Sequence, residues 1–126
     1  MNRSQKIIKI FEGNEAEALC QKFAKMLQTK VDKYYKETYP NIKIGQVSVK
    51  PGRSYIKIDL GGSGKFMYDP IDGCLYFIKG YGVIDKKKNF GRLEDIVKKD
   101  FEFDGYSIMP KGMKGRTQYG YAGRIA

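Results

Sequence analysis

Four aspartates and one lysine carry the sequence's main claim to chemistry on a bound ion. Asp59, Asp69 and Asp72 fall at strand ends or turns, and Asp85-Lys86-Lys87 forms an Asp-x-Lys. Carboxylates ligate hard divalent cations without any His. An upstream acid followed by Asp-x-Lys on a strand is the pattern of one large class of magnesium-dependent nucleases. There the acids hold the metal and the Lys stabilises charge at the attacked phosphate. Yet Asp-x-Lys arises readily by chance where 30% of residues are charged, and Asp69 and Asp72 also suit a turn. A magnesium nuclease is therefore an alternative here and not the preferred reading.

Other chemistries meet harder obstacles. The 126-residue chain contains no His, which excludes Ser-His-Asp triads, Cys-His dyads, HExxH zinc sites and His-ligated haem. Its two Cys, Cys20 and Cys74, are too few for a disulfide framework or a four-Cys zinc site. Cys20 falls on an apolar helix face, and neither thiol has a base beside it in sequence. Gly61-Gly62-Ser63-Gly64-Lys65 fails as a phosphate-binding loop: Asp59 stands where the first Gly belongs, and Phe66 where magnesium needs a hydroxyl. Gly80-Tyr81-Gly82 lacks the third Gly of a dinucleotide fingerprint, with Asp85 in its place. The expectation is a non-enzymatic protein with no catalytic residue, no metal and no cofactor.

Basic residues interleaved with aromatics are the most coherent signal. Arg53, Tyr55 and Lys57 form one such stretch, and Lys65, Phe66 and Tyr68 another. Tyr76, Lys79 and Tyr81 continue it, followed by Lys86, Lys87, Lys88 and Arg92. A sheet face carrying these residues would stack bases on Tyr55, Tyr68, Tyr76 and Tyr81 and hold phosphates with the cations. Ordinary sheet chemistry gives the same composition, because Tyr and Phe are good strand residues and Lys is a normal outward partner. The end of the chain adds Lys111, Lys114, Arg116 and Arg124, with Tyr119 and Tyr121 as interface anchors.

Net charge is +10, and it is unevenly distributed. Residues 1–93 carry net +9, residues 94–104 net −3, and residues 105–126 net +4 with no acid at all. A basic body with a basic end points to a polyanion partner. The acidic stretch offers an oppositely charged patch, so a protein-binding inhibitor of a host factor is a further alternative. No run of about 18 apolar residues is present, so no membrane span is expected. Residues 7–11 are too short and interrupted for a signal-peptide core, so an intracellular protein is expected.

These side chains need a scaffold. Lys6 to Phe11 reads as a short edge strand. Asn14 as N-cap and Glu17 begin a helix whose apolar face runs Ala16, Leu19, Cys20, Phe23, Leu27, Val31 and Tyr34. Lys22, Lys25, Lys33 and Lys36 fall on the opposite face, and Pro40 stops the helix by Thr38 or Tyr39. The period then changes to two. Strands at 46–50 and 55–60 flank Pro51-Gly52, read as the centre of a type II turn. Gly61 to Gly64 reads as a flexible connection. Strands at 65–68 and 74–79 flank a turn at 69–73. Lys86 to Asn89 reads as an exposed loop, and Leu93, Ile96 and Val97 as the inner side of a short helix. The fold expected is α+β: one long N-terminal helix packed on a four- to five-stranded antiparallel meander, with a short second helix. Residues 1–105 form a single domain and 106–126 an irregular basic tail.

The helix ending in Tyr39-Pro40, followed by Phe66, Asp69, Gly73, Tyr76 and Lys79, resembles a group of small viral and bacteriophage proteins. These pair a helix ending in Tyr-Pro with a hairpin of the form Phe-x-Asp…Gly-x-x-Tyr…Lys. The resemblance spans approximately residues 20–92. Two residues separate Phe66 from Asp69 where the pattern has one, and Gly follows Lys79 where the pattern is often Trp- and Ala-rich. It implies a viral origin, and with it a location in the virion or the host cytoplasm. The expected partners are nucleic acid, DNA or RNA, or other virion proteins, with homo-oligomerisation left open.

Overall fold

A computed structural model describes residues 15–52, 54–112 and 124–125. Helix α1, Glu15–Thr38, buries Ala16, Cys20, Phe23, Ala24, Leu27 and Val31, the 3.6-residue stripe read from the sequence. Glu15 and Glu17 in its first turn and Lys36 in its last complement the helix dipole. It ends at Thr38, before Tyr39-Pro40, as the restricted residue before proline requires. The strand expected over residues 6–11 and the Asn14 cap lie outside the described residues.

Five strands follow in an antiparallel meander: β1 Val47–Pro51, β2 Ile56–Leu60, β3 Ser63–Asp69, β4 Cys74–Gly80 and β5 Val83–Arg92. Their order in the sheet is their order in the chain, so β1 and β5 are the edges. Ile56 pairs with Tyr68, Ile58 with Phe66, and Phe66 with Phe77. This row faces α1. Phe23 lies 6.1 Å from Phe66 and 5.0 Å from Phe101, centroid to centroid, while Phe66 also meets Phe77 and Phe90. Helix α2, Leu93–Lys99, adds Leu93 and Ile96 to the same core, as expected.

Three local expectations are corrected. Pro51 is not a turn residue but the last residue of β1, opposite Ile56. Val47 turns its N–H away from β2, to Gln28 Oε1 at 2.6 Å, so the like-phased Pro51 sits where a missing N–H breaks no ladder bond. Gly52 closes the loop by donating to Tyr55 O at 2.8 Å, without the left-handed φ a type II turn needs. Gly61 and Gly62 are a two-residue turn and not a flexible link. Their φ values of 61° and 86° suit the type I′ geometry that matches strand twist.

The third correction concerns Lys86 to Asn89, which belong to β5 and not to a loop. Asn89 pairs with Tyr76 of β4 and Ile84 with Ile78, while Lys86 to Lys88 fall in the irregularity between those pairs, and lysines are well suited to an edge strand. Packed residues continue beyond 105. β6, Glu102–Phe103, pairs with β7, Ile108–Met109, and Ile108 and Met109 are fully buried. Ile125 is buried as well, its N–H donating to Phe90 O at 2.8 Å. A two-residue strand is too short to show any period, which is why the sequence reads as irregular there.

Candidate polyanion interface

Strand alternation sends every second residue away from α1. Lys57, Asp59, Met67, Tyr76 and Ile78 are therefore on the outer face, and Lys50 joins them as the register partner of Lys57. The β4–β5 turn folds onto this face through Tyr81. Lys57 Nζ stands 4.2 Å from the Tyr81 ring centroid and Lys50 Nζ 5.6 Å. The Tyr81 hydroxyl donates to Asp59 Oδ2 at 3.2 Å, and Lys50 pairs with the same oxygen at 3.3 Å. These two partners, Tyr81 first and Asp59 second, hold the Lys50 ammonium above its ordinary pKa. Ring atoms of Tyr81 rest against Gly64, where a Cβ would come within 2.8 Å of Cδ1. Asp59 is only 2% exposed, and its Oδ1 has no hydrogen-bond partner among the described residues.

Beside this cluster the outer edge of β5 bulges. Between the Tyr76–Asn89 and Ile78–Ile84 pairs, β4 contributes Phe77 alone while β5 contributes Asp85, Lys86, Lys87 and Lys88. The surplus residues leave the ladder and turn the strand outward. Asp85 Oδ1 accepts the Lys87 N–H at 3.1 Å, closing an Asx turn inside the bulge. Lys86 and Lys87 are exposed. Lys88 is half-buried, with Nζ 5.4 Å from the Phe77 centroid. Lys79, at the end of β4, is exposed nearby.

The remaining sequence candidates do not join one platform. Lys65 faces the other way: its Nζ donates to Tyr106 O at 2.6 Å and lies 4.5 Å from the Tyr106 ring. Burial, partly offset by the Asp104 charge, lowers its pKa. Tyr68 is in the core row against α1 and cannot stack a base; burial pushes its hydroxyl to about 12. Tyr76 is on the outer face with its hydroxyl given to Asp72, and burial followed by that bond raises its pKa. Tyr81 is 52% exposed, carries Lys57 over its ring and rests against Gly64. Tyr55 is half-buried in the β1–β2 loop.

Arg92 is engaged by its own chain, Nη1 donating to Asp72 O at 3.3 Å and Nη2 to Glu94 Oε1 at 3.3 Å. Lys111 pairs with Asp100 Oδ2 at 3.5 Å, and Arg124 is exposed. Arg53, Lys114, Arg116, Tyr119 and Tyr121 lie outside the described residues. Sequence reasoning passed over Lys50 and Tyr106. Counting hairpin register back from Lys57 would have found Lys50; no local signal marks Tyr106.

The aspartates of the nuclease pattern are occupied separately. Asp69 Oδ1 accepts from Ile71 N, Asp72 Oδ1 from Cys74 N, and Asp85 from Lys87 N. Among the described residues, no three Cys, Asp or Glu side chains converge in a way that could hold a metal ion. Burial pushes the Cys20 thiol to about 12 and, with Asp72 assisting, raises that of Cys74. The acids of 94–104 mostly bind their own chain. Asp100 holds Lys30 at 2.9 Å as well as Lys111, Glu102 accepts from Gly112 N, and Asp104 accepts from the N–H groups of Tyr106 and Ser107. No helix among the described residues is long and apolar enough to cross a membrane. No family model, curated protein or solved structure matches the chain.

Proposed function

We propose that the protein is a small, non-enzymatic viral protein that contacts nucleic acid through the β4–β5 hairpin and the adjoining outer face of its sheet. The observation that carries this reading is the bulge in β5, which stands Lys86 and Lys87 out of the ladder, exposed and free of any ion pair among the described residues. Lys79 is exposed at the end of β4 in the same hairpin, and Lys57 adds a cation on the outer face. The resemblance over residues 20–92 supports the viral origin and a place in the particle or the infected cell.

The mode of contact is phosphate neutralisation. Tyr68 is buried and the half-exposed Tyr81 holds Lys57 over its ring, so phosphate contacts dominate and binding should tolerate any base sequence. Four phosphate contacts by Lys57, Lys79, Lys86 and Lys87 predict a slope of log K against log salt of about −3 to −4 on duplex DNA. Fluorescence anisotropy of a labelled duplex and a labelled single strand across a salt series tests this. Salt-independent binding, or none at low salt, removes the reading. Asp100, Glu102 and Asp104 are held by their own chain, which leaves the inhibitor alternative with little free acidic surface.

A further inference from the structure

We infer that the exposed side of α1 is a second polyanion face, so that one molecule holds two nucleic-acid segments at once; this rests on the nucleic-acid reading above. Lys22, Lys25, Lys33 and Lys36 are all exposed and share one side of the helix, spanning about 21 Å along its axis. Asp32, which accepts from Gln28 Nε2 at 2.9 Å and keeps its charge, is the one acid beside these four cations between residues 22 and 36, and Glu15 and Glu37 stand toward the helix ends. The stripe is thus a row of cations complementary to a phosphate backbone.

Its direction follows from the packing. Cys20, Phe23, Leu27 and Val31 bury the opposite side of α1 against the sheet row of Ile58, Phe66 and Phe77. The stripe therefore points away from the sheet, while Lys57 points out through the other side of it. A helix layer on a sheet layer separates the two basic surfaces by roughly 20 Å. Duplex DNA stays nearly straight over about 150 base pairs, so one short duplex cannot follow both faces of so small a body. Occupying both requires two segments, and the molecule then bridges them.

A bridging assay with the full chain tests this. One duplex is tethered to a surface, protein is added, and capture of a second, fluorescent duplex is read. Wild type should capture it. The variant K22Q/K25Q/K33Q/K36Q keeps helix propensity, and its fold is checked by circular dichroism. It should still bind the tethered duplex but capture less than about a tenth of the second one. Equal capture by the variant overturns the inference, as does wild type that binds one duplex without bridging. Sedimentation velocity on both proteins closes the other route: a wild-type dimer that the variant loses also overturns it. Wild type that binds no duplex takes down the nucleic-acid reading itself, a result distinct from binding without bridging.

Discussion

Lys57 holds its ammonium 4.2 Å from the centroid of the Tyr81 ring, and that ring rests in turn on Gly64. A strand-centre cation and a turn-tip aromatic thus meet on the side of the sheet that α1 leaves open. With the Tyr81 hydroxyl on Asp59, this contact pins the tip of the β4–β5 hairpin down on the sheet. The basic bulge belongs to the same hairpin, so its position depends on that anchorage.

Gly64 is the position where the anchorage is most easily disturbed. In Gly64→Ala, the added Cβ would fall 2.8 Å from Tyr81 Cδ1 and 2.9 Å from Ile78 Cδ1. Overpacking of this kind costs about 1–3 kcal/mol, offset by about 0.5–1 kcal/mol for replacing Gly in a strand. The expected net loss is about 1 kcal/mol in urea unfolding. An unchanged or higher midpoint would contradict the close packing of Tyr81 on Gly64.

Asp100 predicts an acid dependence. Burial alone would raise its pKa, but the Lys30 ammonium, the Phe101 N–H and Lys111 outweigh that and hold it below the ordinary carboxylate value. A depressed folded-state pKa contributes stability that is present above the unfolded value, near 3.9, and is lost as pH falls through the folded one. Asp100→Asn removes the charge while tolerating the left-handed φ of 68° at this residue. For such partly exposed pairs the contribution is about 0.5–1 kcal/mol. Thermal melts from pH 7 to pH 2 should show wild type losing more stability below about pH 4 than D100N. Parallel curves would refute this.

The thiols offer a simple check of the core. Cys20 is buried on α1 with its pKa near 12, and Cys74 is buried at the start of β4. In native protein at mild alkaline pH, a disulfide reagent should label Cys20 only on the timescale of unfolding. Denatured protein should release both thiols at once. Rapid native labelling of Cys20, located by peptide mass spectrometry, would contradict the packing of α1.

The helix and the first four strands were legible because their side chains alternate strongly. Ala16 to Val31 keep a 3.6-residue period, and Ile56, Ile58, Phe66 and Phe77 keep a period of two. β5 was not, because Lys86 to Lys88 break alternation and the strand is made by backbone pairing around a bulge. The basic-aromatic site was legible only as composition. A two-residue period separates two rows without stating which one meets the helix, and Tyr68 fell on the buried side while Lys57 fell on the open one. The Asp59–Tyr81 contact joins distant strands through turn geometry that no local pattern encodes.

The salt dependence of duplex binding by K22Q/K25Q/K33Q/K36Q, in which α1 no longer holds a duplex, and by the same protein carrying K86Q/K87Q tests the bulge as a phosphate contact. The two added substitutions are at exposed edge positions outside the core, so the fold should be retained. The first protein should give a slope of log K against log salt of about −3 to −4, and the second should be shallower by roughly 2, losing affinity alike on every sequence. Equal slopes for the two proteins would show that Lys86 and Lys87 serve only to guard the sheet edge, and would contradict the proposed interface.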